Sequence, residues 1–501
     1  MEKIFKFTRN KLTLHILYLL VSSVFLAILV QYVLKLQWNS KIVITLTMVF
    51  LILSINYITR FLLLALSIVF SMLLPHAILV NGLLKRTVLD TILSSSMDEA
   101  FQYYKSIPLT QILYSILLSI IFISLFYLQR NIRIKLIKNK STLIYLYVFI
   151  LALFVGVSGF AYNRYSDRIY AIFKEYAALN TEGLPKTEWK IISSSPKYNT
   201  YIVIIGESMR KDFMSLYGFQ EKTTPFIDSI PKKFISNYIS TAVNTTLSVP
   251  RILTYSDKNG VIKEENNIIT LAKLAGFKTY WISSQGYTGQ YNISSGRISN
   301  FADYTHFDNQ DDYSLLPEIK NAIQSKENKV IFVHIMGSHE HPCDRVKNYD
   351  KTYNTNKGEL LNCYLSSYNK TDDFIKDIYN TLKDNGNSFS LAYFSDHALN
   401  MVNEYGQYKI YRDDSIRQSY EIPFFTTSSD DEKTVEVNVT RSAYNFFNYF
   451  PTWIGVETNI TPKGYDIFNS NDDNPLVMSY DQKLNPLSSK KIGLSSSDII
   501  K

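Results

Sequence analysis

Long apolar runs dominate residues 1–162, whereas residues 163–501 mix short apolar strings with polar and charged stretches. A hydrocarbon core of ~30 Å requires about 17–25 apolar residues per helix. Five segments satisfy that length, near 13–34, 42–58, 61–84, 110–128 and 142–162. In the second half the pattern changes. Short runs such as YIVIIG (201–206), FKTYWIS (277–283), KVIFVHIM (329–336) and SFSLAYFS (388–395) predict buried strands. The stretches 267–275 and 361–384 between them carry a helical period. Strands alternating with helices predict an α/β sheet covered on both faces. The pattern therefore predicts a five-helix, all-α transmembrane domain over 1–162, a connector over 163–199 and an α/β domain over 200–501.

Charge sets the expected topology. The formal net charge of +8 is modest, and much of it flanks apolar segments, which argues against nucleic-acid binding. Lys3, Lys6, Arg9 and Lys11 precede the first span; Arg130, Arg133, Lys135, Lys138 and Lys140 precede the fifth. Five spans put both clusters on one side, which the positive-inside rule makes cytoplasmic, so the chain after 162 is expected outside the cytoplasm. A cleaved signal peptide does not suit the first run, because four more spans follow and no small-residue cleavage site stands out. The two cysteines, Cys343 and Cys363, then fall in an oxidising compartment. One disulfide closing a loop of about twenty residues, worth ~3 kcal/mol, is expected there, with two free buried thiols as the alternative.

Chemistry-bearing residues gather at the predicted strand ends, where open α/β sheets bind ligands. Glu207 follows the 201–206 strand, and Asp396 and His397 follow 388–395. His334 and His339 lie in and just after 329–336, with His341 beyond. Carboxylates and imidazole form a zinc ligand set, and a catalytic zinc site leaves a position for a reacting oxygen. The hydroxyl-rich loop NTTLSVPR (244–251) offers that oxygen. Each residue also has a plain structural reading. Glu207 could be a helix cap, SDHA a capped turn, and His334 a hydrogen-bonded core residue.

The segments GESMRKDFMSLYGF (206–219), TTP (223–225), NTTLSVPR (244–251), TYWISSQ (279–285), HIMGSH (334–339) and SDH (395–397) resemble the phosphoethanolamine transferases. Those enzymes form part of the sulfatase branch of the alkaline phosphatase superfamily. The resemblance implies a sulfatase/alkaline-phosphatase-like α/β domain in the periplasm, on a multi-pass anchor in the bacterial inner membrane. It implies that Thr245, five residues before Pro250, attacks phosphatidylethanolamine and carries the phosphoethanolamine. The acceptor is then lipopolysaccharide, at a core sugar or a lipid A phosphate, or a related glycan. Glu207, Thr245, Asp396 and His397 fall on the family's zinc ligands, with a second ion left open. His339 falls on a phosphate-binding histidine, with His334 nearby.

Thr91, Ser95 and Glu99 share one helical face in the 84–108 segment, which resembles the family's lipid-facing loop. A solvated helix face is the alternative. The chain departs from lipid A-modifying members in having SDHAL, and Lys409 where a later histidine is expected. Lys409 either pairs a phosphate oxygen or is solvated. A monomer is expected. A phosphoglycerol transferase of the lipoteichoic-acid synthase type, or a non-catalytic glycan-binding scaffold, are the competing functions.

Overall fold

The computed structural model describes residues 2–34, 40–54, 57–79, 107, 109–129, 186–285, 295–308, 311–350, 353–404, 407–480 and 483–500. The chain divides into two compact units, Met1–Asn180 and Thr181–Lys501. Thr91, Ser95, Glu99, the basic run 130–140, the predicted span 142–162 and residues 163–185 of the connector lie outside the described residues.

The first unit contains α1 (Glu2–Leu34), α2 (Ser40–Leu53), α3 (Tyr57–Leu79) and α4 (Leu109–Gln129). Leu17–Leu34, Thr59–Ile78 and Leu109–Leu128 are long and apolar enough to cross a membrane; Ile42–Leu53 is a shorter apolar helix. Leu26, Val30, Val33, Phe50, Ala77 and Phe122 pack inward, while Phe61, Leu62, Met72, Leu113, Tyr114 and Leu117 face outward. Such outward apolar faces are costly in water and natural against lipid. Serines inside the bundle return their hydroxyls to their own helices, as Ser23 does to the Leu19 carbonyl and Ser71 to that of Ser67.

The second unit is built on a nine-stranded mixed sheet. Its strands are β1 (Thr200–Gly206), β2 (Lys233–Ile239), β3 (Lys278–Ser283), β4 (Tyr304–Phe307), β5 (Lys329–His334), β6 (Phe389–Ser395), β7 (Glu421–Ile422), β8 (Phe424–Ser428) and β9 (Val435–Ser442). The order β6-β1-β5-β3-β4 is parallel throughout. Beyond β6 the sheet turns antiparallel through β8, which pairs with β2, and β9 lies parallel on β2. Pro423, which has no N–H for a ladder, separates β7 from β8.

Strand β1 shows why the central runs are uninterrupted apolar sequence. Tyr201, Val203 and Ile205 enter one core, Ile202 and Ile204 the other, and all are fully buried. A strand covered on both faces has no polar side to show. On the first face lie α6 (Thr245–Leu253), α7 (Ile268–Leu274) and α11 (Asn445–Trp453). On the second lie α5 (Pro225–Ser229), α8 (Leu316–Gln324) and the long α10 (Glu359–Asp384). The structure joins Cys363 of α10 to Cys343 of the short α9 (Pro342–Arg345) in a disulfide.

A candidate metal centre at the strand ends

Three adjacent parallel strands end side by side. Gly206 pairs with Ser395, and Ile205 with both Phe394 and His334. The residues that follow β1 and β6, Glu207 and Asp396–His397, are therefore brought to one point above the sheet. One ligand atom from each lies within 4.8 Å of the others, and all three side chains are buried. The turn after β1 is specialised for this. Ser208 adopts a left-handed backbone (φ 59°) that a residue with a Cβ rarely takes. Its N–H donates to Asp396 Oδ1 (3.2 Å) and its hydroxyl to Glu207 Oε1 (2.5 Å). Gly337 (φ 42°) passes so close that a Cβ there would sit 3.2 Å from the Glu207 nitrogen. The buried Asp312 carboxylate fixes that approach by accepting from the N–H groups of Met336 (2.8 Å) and Gly337 (3.0 Å).

The segment expected as a hydroxyl-rich loop is instead the helix α6. Asn244 caps it, its side-chain oxygen accepting from the Leu247 N–H (2.8 Å), and Thr245 is the first helical residue. Burial of Leu247, Val249, Ile252 and Leu253 outweighs the poor helix propensity of two threonines and an internal Pro250. The first turn aims Thr245 at the cluster: its hydroxyl donates to Glu207 Oε2 at 2.8 Å. Gln285 completes that oxygen's surroundings, its amide N–H donating to Glu207 Oε2 (2.9 Å) and to the Ile335 carbonyl (2.9 Å).

The cluster is left open towards a cation. Asp396 Oδ1 is used, accepting from the His397 N–H (2.7 Å) as well as from Ser208. Asp396 Oδ2 and His397 Nε2 are buried without a hydrogen bond, although His397 Nε2 lies 3.2 Å from Glu207 Oε1 and 3.5 Å from Asp396 Oδ2. His397 Nδ1 faces the Ala398 carbonyl at 3.1 Å, which assigns the ring proton to Nδ1 and leaves the Nε2 lone pair pointing at the carboxylates. Burial, then the charge of Glu207, pushes Asp396 up. For His397 burial works downward, but Asp396 and Glu207 outweigh it and the imidazole is raised. Burial would raise Glu207 too, yet His397, His339 and Arg412 bring it well below the usual carboxylate range. Two buried carboxylates and an imidazole with orphaned atoms fit a divalent metal with oxygen and nitrogen ligands. Among the described residues the other group with such spacing, Cys343, Glu359 and Cys363, has its sulfurs tied up in the disulfide.

The remaining sequence candidates sit around this centre at different distances. His334, at the end of β5, is buried against the edge of Trp281, its Nε2 without a hydrogen bond. Burial holds it down to about 4 against the pull of Glu207. His339 Nε2 meets Arg412 Nη2 at 2.9 Å. His341 (φ 66°) precedes α9 as its half-buried cap residue. Lys409 is exposed on the hairpin formed by Asn400–Glu404 and Gln407–Tyr411. The cation that the structure brings to the cluster is Arg412, just past that hairpin. Sequence reasoning passed over Arg412, Gln285 and Ser208. The available signals were a second cation three residues after Lys409 and the polar end of the 277–283 strand.

Comparison with known proteins identifies the family and the fold. Residues 199–457, just over half the chain, match the sulfatase family. Phosphoethanolamine transferase OpgE of Escherichia coli (strain K12) is 32% identical over 307 residues, 59% of this chain and 58% of that one. Phosphoethanolamine transferase EptA of Helicobacter pylori is 26% identical over 313 residues, 56% of each. The chain spans about half the length of the curated relatives it matches. Among solved structures, the integral membrane lipooligosaccharide phosphoethanolamine transferase A from Neisseria meningitidis superposes with a TM-score of 0.57 at 15% identity. That match covers 88% of this chain and 95% of the other. The periplasmic domain of Escherichia coli EptC in complex with Zn gives 0.54 at 18% identity, covering 64% and 100%. Matched over residues 199–457, which span the whole mixed sheet, the chain belongs to the sulfatase family.

Proposed function

We propose that this protein is a zinc-dependent phosphoethanolamine transferase of the bacterial inner membrane, with its α/β unit in the periplasm and five membrane-spanning helices. One observation carries the reading. The Thr245 hydroxyl donates to Glu207 inside a buried cluster whose other members, Asp396 and His397, keep unused ligand atoms. Glu207, Asp396, His397 and the Thr245 oxygen would hold the ion. When bound, zinc supplies positive charge that acidifies a hydroxyl and neutralises phosphoryl oxygens.

The chain's own residues do the rest. Asn244 and the first turn of α6 point Thr245 Oγ1 at phosphorus, and Glu207 Oε2, 2.8 Å away, orients the hydroxyl, whose proton is lost to solvent. Oγ1 forms a bond to the phosphorus of phosphatidylethanolamine. The P–O bond to diacylglycerol breaks, and that oxygen is protonated from solvent. In the second half an acceptor oxygen attacks the same phosphorus, loses its proton and displaces Thr245 Oγ1, which is reprotonated. The acceptor is lipopolysaccharide or a related envelope glycan; lipooligosaccharide stands in the name of the structurally similar Neisseria meningitidis enzyme. Intact mass tests the covalent step: incubated with phosphatidylethanolamine and zinc, the wild type gains one phosphoethanolamine and Thr245→Ala gains none. An unmodified wild type under those conditions refutes the reading.

A further inference from the structure

His339 Nε2 lies 2.9 Å from Arg412 Nη2, and a guanidinium can only donate. Nε2 is therefore the acceptor, and the ring proton sits on Nδ1, facing the Glu340 carbonyl at 3.3 Å. Burial and the Arg412 charge hold His339 down to about 4, so the ring is neutral near pH 7. So arranged, His339 has no N–H to offer a phosphate oxygen.

Arg412 does. Its backbone N–H donates to Glu340 Oε1 (3.2 Å), and its Nη1 lies 3.7 Å from Glu340 Oε2. Its Nε is buried with no hydrogen bond. Burial alone would weaken the guanidinium's hold on its proton, but the carboxylates of Glu340, Glu207 and Asp396 reverse that. The cation thus stands in the field of the proposed metal ligands. Chain geometry puts it there. Asp396 and His397 lead directly into the hairpin, and its register, with Asn400 opposite Tyr411, returns the chain to the ligand turn as Arg412 begins. A planar fork of donors matches two oxygens of a phosphoryl group in a way that a lysine does not.

We propose that Arg412 grips the non-bridging oxygens of the transferring phosphoryl group, with His339 and Glu340 positioning its guanidinium and Lys409 taking no part. The proposal rests on the phosphoryl-transfer reading above. The step it assists is the one already balanced: the Thr245 Oγ1–P bond forms, the P–O bond to diacylglycerol breaks, the threonine proton passes to solvent and solvent protonates the leaving oxygen. Arg412 donates hydrogen bonds throughout and exchanges no proton.

The test compares full-length, zinc-loaded wild type, Arg412→Ala, Arg412→Lys and Lys409→Ala. Phosphatidylethanolamine-dependent mass gain on Thr245 is followed in time, with bound zinc and the thermal midpoint measured alongside. Calorimetric binding of phosphoethanolamine itself gives a readout separate from turnover. Arg412→Ala should slow labelling by roughly a hundredfold or more, as loss of a charge-stabilising donor does, and weaken phosphoethanolamine binding at unchanged zinc content. Arg412→Lys should recover part of both, and Lys409→Ala should match the wild type. If Arg412→Ala loses zinc or fails to fold, Arg412→Lys decides, with about a tenfold loss expected for a point charge in place of a fork. Labelling of a folded Arg412 variant at the wild-type rate overturns the proposal and leaves the transferase reading standing. A wild type that gains no mass overturns both.

Discussion

The buried Arg441 and the half-buried Asp473 form an ion pair in which each group is closed by its neighbours. Arg441 Nε donates to the Ile467 carbonyl (2.9 Å), Nη2 to that of Asn469 (2.7 Å) and Nη1 to Asp473 Oδ1 (2.8 Å). Asp473 Oδ2 accepts from the Ser442 N–H (2.7 Å) and the Asn445 amide (2.8 Å). The Glu207–Asp396–His397 cluster is buried more deeply and finished less completely, with Asp396 Oδ2 and His397 Nε2 making no hydrogen bond. Burying a charge costs several kcal/mol unless partners offset it. The closed pair keeps no oxygen or nitrogen for a cation, whereas the open cluster keeps two such atoms. The difference separates a structural pair from a site more sharply than burial does.

The largest expected effect comes from the open cluster. Thr245→Ala should lower transfer by about 10⁴-fold or more, because loss of the proposed nucleophile removes the proposed covalent route. Melted metal-free, it should lose only the hydrogen bond from Thr245 to the Glu207 carboxylate, worth about 1.5–3 kcal/mol, a modest fall in midpoint. Steady-state transfer assays and calorimetric melting of the same preparations measure both. A large fall in midpoint with transfer retained would make Thr245 structural. Arg441→Ala should do the opposite. Leaving the half-buried Asp473 without its cation, though still with the Ser442 and Asn445 donors, costs about 3 kcal/mol, read in chemical denaturation, while Thr245 labelling of the folded protein stays at the wild-type rate.

How legible each cluster was in the sequence follows from what surrounds it. Strands β1 and β6 were readable as YIVIIG and SFSLAYFS because both faces are covered. With those strands in place, Glu207, Asp396 and His397 had to emerge at one edge. The antiparallel flank was not readable. KFISNYI and FFTTS mix polar and apolar residues, and their pairing depends on a chain reversal some 190 residues later. Helix α6 was hidden for a local reason: Thr-Thr and Pro250 speak against a helix, and only burial decides. Arg412 was hidden for a non-local one, since hairpin register rather than sequence distance carries it, and not Lys409, to His339.

Metal removal comes next in size. A ligand that binds only the folded state stabilises it by RT ln(1 + [L]/Kd), about 2.7 kcal/mol at a hundredfold excess over Kd. Chelation of the wild type should therefore lower the unfolding free energy by about that amount. Arg441→Ala should lose the same increment from a lower starting point. Asp396→Asn should lose none, because its metal-free and metal-treated forms are expected to melt alike. Equal chelator sensitivity in Asp396→Asn would place the metal elsewhere.

Asp372 stands between the two extremes and gives the smallest, pH-dependent effect. From α10 its two oxygens accept from the N–H groups of Phe226 (2.7 Å) and Ile227 (2.8 Å) at the start of α5. Among the described residues no lysine or arginine forms an ion pair with it. Burial raises this carboxyl to about 7 despite those hydrogen bonds. Its folded value lies above its unfolded one, so its contribution is complete below about pH 4 and is lost as pH rises through about 7. The unfolded carboxyl stays ionised between pH 6 and 8 while the folded one gives up its proton, which costs about 1.4 kcal/mol over that interval. Asp372→Asn cannot ionise, so its stability should be flatter from pH 6 to 8 by that amount, measured by urea denaturation at fixed ionic strength. Parallel slopes in the two proteins would mean that its two amide donors suffice to hold Asp372 as a carboxylate, and that a buried carboxyl here is closed by hydrogen bonds without a cation.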